Sequence, residues 1–164
     1  MNIKVGQLRR KDRAVTEEKE ILSIMARCQV CTLSMCSAGE PYGVPVNFGI
    51  MQKGEDCFLC FHGAPVGKKA EALLSGTAVA FSMYTAETLV PGQKASDCTM
   101  DFESVCGSGV VEEIRTEEER AEVLTAIMHQ YWPDWRGEWS TSDLKAGLWK
   151  VRIQQWCGKR HTSA

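Results

Sequence analysis

Two adjacent lysines, Lys68 and Lys69, follow the turn His62-Gly63-Ala64-Pro65-Val66-Gly67 and open a short helix. Unpaired N–H groups already give a helix N-terminus partial positive charge, so cations there are disfavoured unless an anion joins them. A phosphate shared between the ammoniums and the first-turn amides would resolve the conflict. Two solvated surface lysines are the plain alternative. The glycines of the turn leave room for close backbone approach, but G-x-x-x-x-G-K-[ST] is absent, so this is no Walker loop. His62 stands at the end of an apolar strand and before a glycine, a placement that faces a pocket. Near pH 7 its imidazole can hold a substrate anion or pass a proton; a structural histidine donating to a backbone carbonyl is the competing role. His129, on a predicted surface helix, and His161, in the terminal tail, lack such a placement.

The eight cysteines are the second chemical feature: Cys28, Cys31, Cys36, Cys57, Cys60, Cys98, Cys106 and Cys157. Cys28/Cys31 and Cys57/Cys60 have the C-x-x-C spacing of a four-cysteine zinc site. The context points elsewhere. Cys57-Phe58-Leu59-Cys60-Phe61 reads as a strand interior, where residues three apart face opposite sides and do not share a metal. Buried free thiols acting as small hydrophobes fit this context better.

The chain of 164 residues, 44% hydrophobic and 24% charged with net charge −2, is long enough for a sizeable core and is read as one domain over residues 1–164. It lacks the basic excess of nucleic-acid binders. It has no run of roughly 20 apolar residues to span a membrane and no apolar signal core, so the cytoplasm is the default compartment. Periodicity predicts a helix over Thr16–Cys28, strands over Gln29–Ser37, Tyr42–Met51 and Cys57–Phe61, the short helix, and a strand over Thr77–Tyr84. A loop follows over Ala86–Asp101, then a strand over Glu103–Ile114 with Gly107 and Gly109 permitting a bulge. Thr116 and Glu119 form a capping box that starts a helix. An irregular aromatic stretch, Trp132–Trp139, leads to a turn at Ser142–Ala146 and a last strand, Leu148–Trp156. Pro45 has no N–H to donate, which marks its strand as an edge, a bulge or a ligand-facing gap. Short antiparallel strands with inserted helices predict a mainly β protein: a six-stranded antiparallel split barrel with peripheral helices.

Several segments in this order resemble a known family. They are Arg10-Lys11-Asp12-Arg13, Pro41-Tyr42-Gly43-Val44-Pro45-Val46-Asn47-Phe48-Gly49, Phe61-His62-Gly63-Ala64 through Gly67-Lys68-Lys69, Ser104-Val105-Cys106-Gly107-Ser108-Gly109, and Gly158-Lys159-Arg160. Together, over roughly residues 8–160, they resemble the FMN-binding split β-barrel proteins related to pyridoxamine 5′-phosphate oxidase, and within them the 5-nitroimidazole-resistance group. The resemblance implies a homodimer with FMN at the subunit interface. Val44, Pro45, Val46 and Asn47 would border the isoalloxazine, and Phe61 and His62 would lie beneath it. Lys68 and Lys69 would hold the phosphate, and Ser104, Val105 and Gly107 would reach in from the second subunit. The oxidase's arginine-led strand is replaced here by Tyr42-Gly43, which argues against pyridoxamine phosphate as substrate.

The first functional expectation is an FMN-dependent oxidoreductase that takes electrons from NAD(P)H or another reductant and reduces a small electrophile, such as a nitroaromatic. The second is a dimer that binds flavin or haem without turnover. The third is a zinc or thiol-redox protein built on the C-x-x-C pairs. Trp132, Trp135 and Trp139 either close the barrel end or stack on cofactor or substrate.

Overall fold

The structure, a computed structural model, describes residues 3–140 and 142–163. Among them nine strands and three α-helices follow in the order β1 Lys4–Val5, β2 Ala14–Val15, α1 Glu18–Arg27, β3 Cys31–Ser37, β4 Glu40–Val46, β5 Phe48–Lys53, β6 Asp56–Gly63, α2 Lys68–Ala72, β7 Ala78–Val90, β8 Thr99–Glu112, α3 Glu117–Tyr131 and β9 Gly147–His161. Single 3₁₀ turns occupy Lys11–Arg13 and Asp143–Lys145. No helix among the described residues is long and apolar enough to cross a membrane.

The strands form one sheet in the order β4-β3-β7-β8-β9-β6-β5, with β1 and β2 beside β9. Apart from the parallel β1–β9 contact, all the pairings are antiparallel. β4 and β5 end the strand order on opposite sides, yet only Asn47 separates them in the chain. The sheet therefore curls until its two edges meet at Asn47 without pairing, which is a split barrel. The sheet is mainly antiparallel and barrel-like as predicted, but it has nine strands rather than six and does not close.

Three further boundaries differ from expectation; the first is the last strand, which runs past Trp156 to His161, where it pairs with Phe102 of β8. Tyr42–Met51 is two strands, because Tyr131 intervenes at Asn47: its hydroxyl donates to Gln29 O at 2.9 Å and accepts from Phe48 N at 3.0 Å and Asn47 Nδ2 at 3.2 Å. The expected loop over Ala86–Asp101 shrinks to residues 91–98, because β7 and β8 continue as a paired arm through Thr88↔Asp101, Leu89↔Met100 and Val90↔Thr99.

α1 buries Ile21, Ile24 and Met25 in the barrel core, with Cys28 capping its end. α3 starts at the expected cap: Thr116 Oγ1 accepts from Glu119 N at 3.2 Å, while the Glu119 carboxylate returns to Arg115 N at 2.8 Å. It buries Val123, Leu124 and Ile127 on the outer side of β5 and β6. β6 is thus covered on both faces. Cys57, Leu59 and Phe61 enter the main core, whereas Phe58 and Cys60 join the cluster under α3. Cys57 and Cys60 therefore face apart, and burial pushes both thiols up to about 12. The same cause raises Cys28 to about 11 and Cys31 to about 12, leaving all four as neutral core groups.

Candidate functional site

Three of the segments singled out from the sequence converge. β6 ends at Phe61-His62-Gly63, in register with Trp149, Leu148 and Gly147 of β9. Phe61 is fully buried and stacks on Trp149, with ring centroids 5.8 Å apart and planes 15° off parallel. Gly63 and Gly147 lie opposite each other. A Cβ at Gly147 would stand 2.8 Å from Gly63 O and 2.9 Å from Pro65 Cα, so the bare pair lets the 64–67 turn fold tightly against the strands. Gly67 then takes φ +98°, a left-handed geometry suited to glycine, and starts α2.

Lys69 reaches back across this turn. Its Nζ donates to His62 O at 3.3 Å and lies 5.2 Å from the Trp149 ring centroid. Gly63 makes this possible, because a Cβ there would stand 2.1 Å from Nζ. Among the described residues no carboxylate pairs with Lys69, and burial alone pulls its pKa below the ordinary value. Lys68 is exposed and lies over the Tyr42 ring at 5.0 Å, which ties α2 to β4. α2 spans only five residues, so the ammoniums rather than a helix dipole dominate the local field. Two cations on one turn, one of them partly desolvated and lacking a counter-ion, suit a phosphate dianion; a flavin phosphate fits this donor set.

β4 runs beside the lysines with one edge paired to β3 and the other free. Its backbone groups on that side remain open to a ligand, and Pro45 sits on an edge strand as its missing N–H requires. Val46 is buried, Val44 is half-buried and Pro45 is exposed. Pro45 faces a cleft of about 430 Å³ that Thr32, Ser82 and Tyr84 also line. Asn47 is drawn away from this row by its bond to Tyr131. The His62 ring is exposed and makes no hydrogen bond among the described residues, so it is not the carbonyl-bound structural histidine.

Ser104, Val105 and Gly107 lie apart from the lysine cluster within the chain. β8 is separated from β4 by β7 and β3, and from β6 by β9. Val105 is fully buried, and Gly107 leaves room for Phe81, whose Cζ would stand 2.3 Å from a Cβ there. Trp135 and Trp139 pack on each other at 4.4 Å, with Trp139 Nε1 donating to Thr125 at 3.3 Å, so they cover α3 rather than β4. Trp149, which supports Lys69, escaped the sequence reading, and Tyr42, which supports Lys68, entered it only through the resemblance. Their only signal is cross-strand placement. A cleft of about 590 Å³ between β5 and α3 is roomier, but its rim carries Glu118 and the Lys53–Glu122 ion pair at 2.8 Å, so its one lysine is already matched by a carboxylate.

Residues 17–160 match the family described as pyridoxamine 5′-phosphate oxidase. No curated protein matches the chain. Among solved structures, a candidate 5-nitroimidazole antibiotic resistance protein from Bacteroides thetaiotaomicron is 28% identical, with a TM-score of 0.74 over 89% of this chain and 85% of that one. An FAD and heme binding protein from Mycobacterium smegmatis is 19% identical, with a TM-score of 0.77 over 92% of this chain and 74% of that one. The flavocytochrome Anf3 from Azotobacter vinelandii is 19% identical, with a TM-score of 0.74 over 96% and 73%. The last two establish shared fold.

Proposed function

The chain belongs to the pyridoxamine 5′-phosphate oxidase family, whose fold binds flavin, and on that premise we propose that it is a homodimeric FMN-dependent oxidoreductase reducing a small electrophile such as a 5-nitroimidazole. The observation that carries this reading is Lys69, a partly desolvated ammonium with no carboxylate partner among the described residues, beside the free edge of β4. Lys69 and Lys68 would hold the phosphate through charge-assisted bonds. The backbone of Val44 to Asn47 would orient the ring system along the strand edge, with Phe61 supporting the floor from the core. When bound, a flavin supplies the electron transfer, and the protein supplies position and a pocket of limited water access. His62, exposed beside this row, is placed to hold an anionic acceptor or deliver a proton to it. The cleft beside Pro45 falls in the size range of small-molecule sites.

One compact phosphate site favours FMN over FAD. The dimer draws support from the β7–β8 arm, which leaves Tyr84, Leu89 and Met100 67%, 64% and 43% exposed. A partner covering that arm would bring Ser104 toward the second flavin.

Protein purified without added cofactor should show a flavin spectrum that NAD(P)H or dithionite bleaches and a nitroimidazole restores. Chromatography of the extracted flavin should give FMN, and sedimentation equilibrium should give twice the 18.2 kDa chain mass. FAD as the dominant flavin, or a persistent monomer, would overturn those parts separately. The free His62 imidazole also favours a second reading, a dimer that binds flavin or haem without turnover. The mycobacterial neighbour is an FAD and haem binding protein, and a Soret band in the purified protein would select this reading.

A further inference from the structure

Cys106 and Cys157 differ from the four core cysteines. They stand directly opposite each other in the antiparallel β8–β9 register, so their Cβ atoms leave one face of the sheet about 4.5–5.5 Å apart. The register shift in this pair comes later, between Ser108 and Gly109, and leaves the cysteine rung intact. Cys106 is exposed, Cys157 is half-buried, and both are free. With Gly107, Ser108, Gln155 and Trp156 they line a cleft of about 230 Å³. The N-terminal segment passes the far side of Cys157, where Gly6 N donates to Trp156 O at 2.7 Å. Gly6 has no side chain to cover the thiol; a Cβ there would stand 3.6 Å from Cys157 Cβ.

We propose that Cys106 and Cys157 form a bidentate site for a thiophilic ligand, with trivalent arsenicals as the chemical class. Soft, polarisable thiols suit such a centre. With an arsenoxide R–As=O, two S–H bonds break, two As–S bonds form, and the two protons leave with the oxygen as one water. Arsenic stays trivalent and no electron acceptor is needed. Desolvation, and next the neighbouring Cys157, raise the Cys106 thiol above its ordinary pKa. That disfavours reactions needing a preformed thiolate, such as attack on a hydroperoxide, and leaves condensation of two neutral thiols as the fitting chemistry. Once one As–S bond exists the second closes within the molecule, a gain typically of about 10²–10⁴ in affinity. Cys36, opposite Pro41, and Cys98, in the 91–98 loop, are exposed thiols with no cysteine across from them, and each can form only the weaker single bond.

The test treats the flavin-loaded full chain with phenylarsine oxide and follows adducts by intact mass. Wild type should retain one arsenical in excess glutathione and release it to 2,3-dimercaptopropanol. Cys106→Ser and Cys157→Ser should each lose the glutathione-resistant adduct, with affinity down about 10²–10⁴-fold, while Cys36→Ser and Cys98→Ser keep it. On wild type, the arsenical should shield both the Cys106 and Cys157 peptides from iodoacetamide, a readout independent of how the variants fold. Absence of a glutathione-resistant wild-type adduct, its retention in the Cys106→Ser/Cys157→Ser double variant, or protection of a different cysteine pair would overturn the assignment. None of these readouts depends on flavin turnover.

Discussion

The Lys69 ammonium donates to the His62 carbonyl at 3.3 Å, which fastens the first turn of α2 to the end of β6. A cation usually settles near a carboxylate. This one instead has a carbonyl, the Trp149 face and partial burial, an environment that a bound phosphate would complete.

Lys69→Ala should therefore weaken FMN binding while the protein stays folded. A charge-assisted bond to phosphate contributes roughly 1.5–3 kcal/mol, so affinity should drop about ten- to a hundredfold. Lys68→Ala should cost less, because Lys68 is exposed and already rests on Tyr42. Titration of apoprotein by flavin fluorescence measures both. Equal affinity in wild type and Lys69→Ala would return Lys69 to the role of a surface lysine.

The same residue sets a pH dependence. Burial lowers the folded-state pKa of Lys69 below the ordinary 10.5, so on raising the pH the folded protein loses this proton before the unfolded chain does. Across that alkaline window the unfolded chain binds more protons. This term therefore makes the flavin-free protein more stable with rising pH. FMN binding moves the opposite way, because it needs the ammonium, and affinity should begin to fall below pH 10.5. Lys69→Arg, charged throughout, should flatten the profile. Parallel pH profiles for the two proteins would remove Lys69 from the phosphate site.

Gly63 and Gly49 separate function from fold. A Cβ at Gly63 meets the tip of the Lys69 side chain at 2.1 Å, whereas a Cβ at Gly49 meets the Ala126 carbonyl oxygen at 2.2 Å and its carbon at 2.3 Å. A side-chain tip can swing away; a helix backbone cannot. Gly63→Ala should keep Tm within about 4 °C of wild type yet lose about tenfold in FMN affinity, as Lys69 leaves its place. Gly49→Ala should cost about 1–3 kcal/mol by forcing α3 off β5. Denaturant melts and FMN titrations of both variants provide the comparison.

Local signals made much of this legible in the sequence. The apolar run through Cys57–Phe61, the Gly67-Lys68-Lys69 junction and the Thr116 cap each act within a few residues, and each lies where expected. The break at Asn47 was hidden because its cause, Tyr131, is 84 residues away. The β7–β8 arm was hidden because no core covers it at Tyr84, Leu89 and Met100, so cross-strand pairing holds it without an apolar period. Likewise Lys69 could be read as a phosphate ligand from its neighbours in sequence. Its seat on Trp149 needed the β6–β9 register, which brings Trp149 opposite Phe61.

The role of His62 is open to a direct test, because its ring is exposed and makes no hydrogen bond among the described residues, while its carbonyl, which any substitution keeps, anchors Lys69. A side-chain change should therefore leave both the fold and the phosphate site intact. We expect His62→Gln to retain wild-type flavin content and Tm. If the imidazole holds or protonates the acceptor, turnover should fall by roughly 10²–10⁴, the range for loss of a general acid or base. Gln keeps the polarity and approximate size of His but not its proton chemistry, so a fall in rate at full flavin content isolates the part played by the imidazole. Flavin content and acceptor-dependent NAD(P)H oxidation should be measured on the same preparation. Full turnover at stoichiometric flavin would remove His62 from the reaction, and a fall in flavin content alone would make it a cofactor ligand instead.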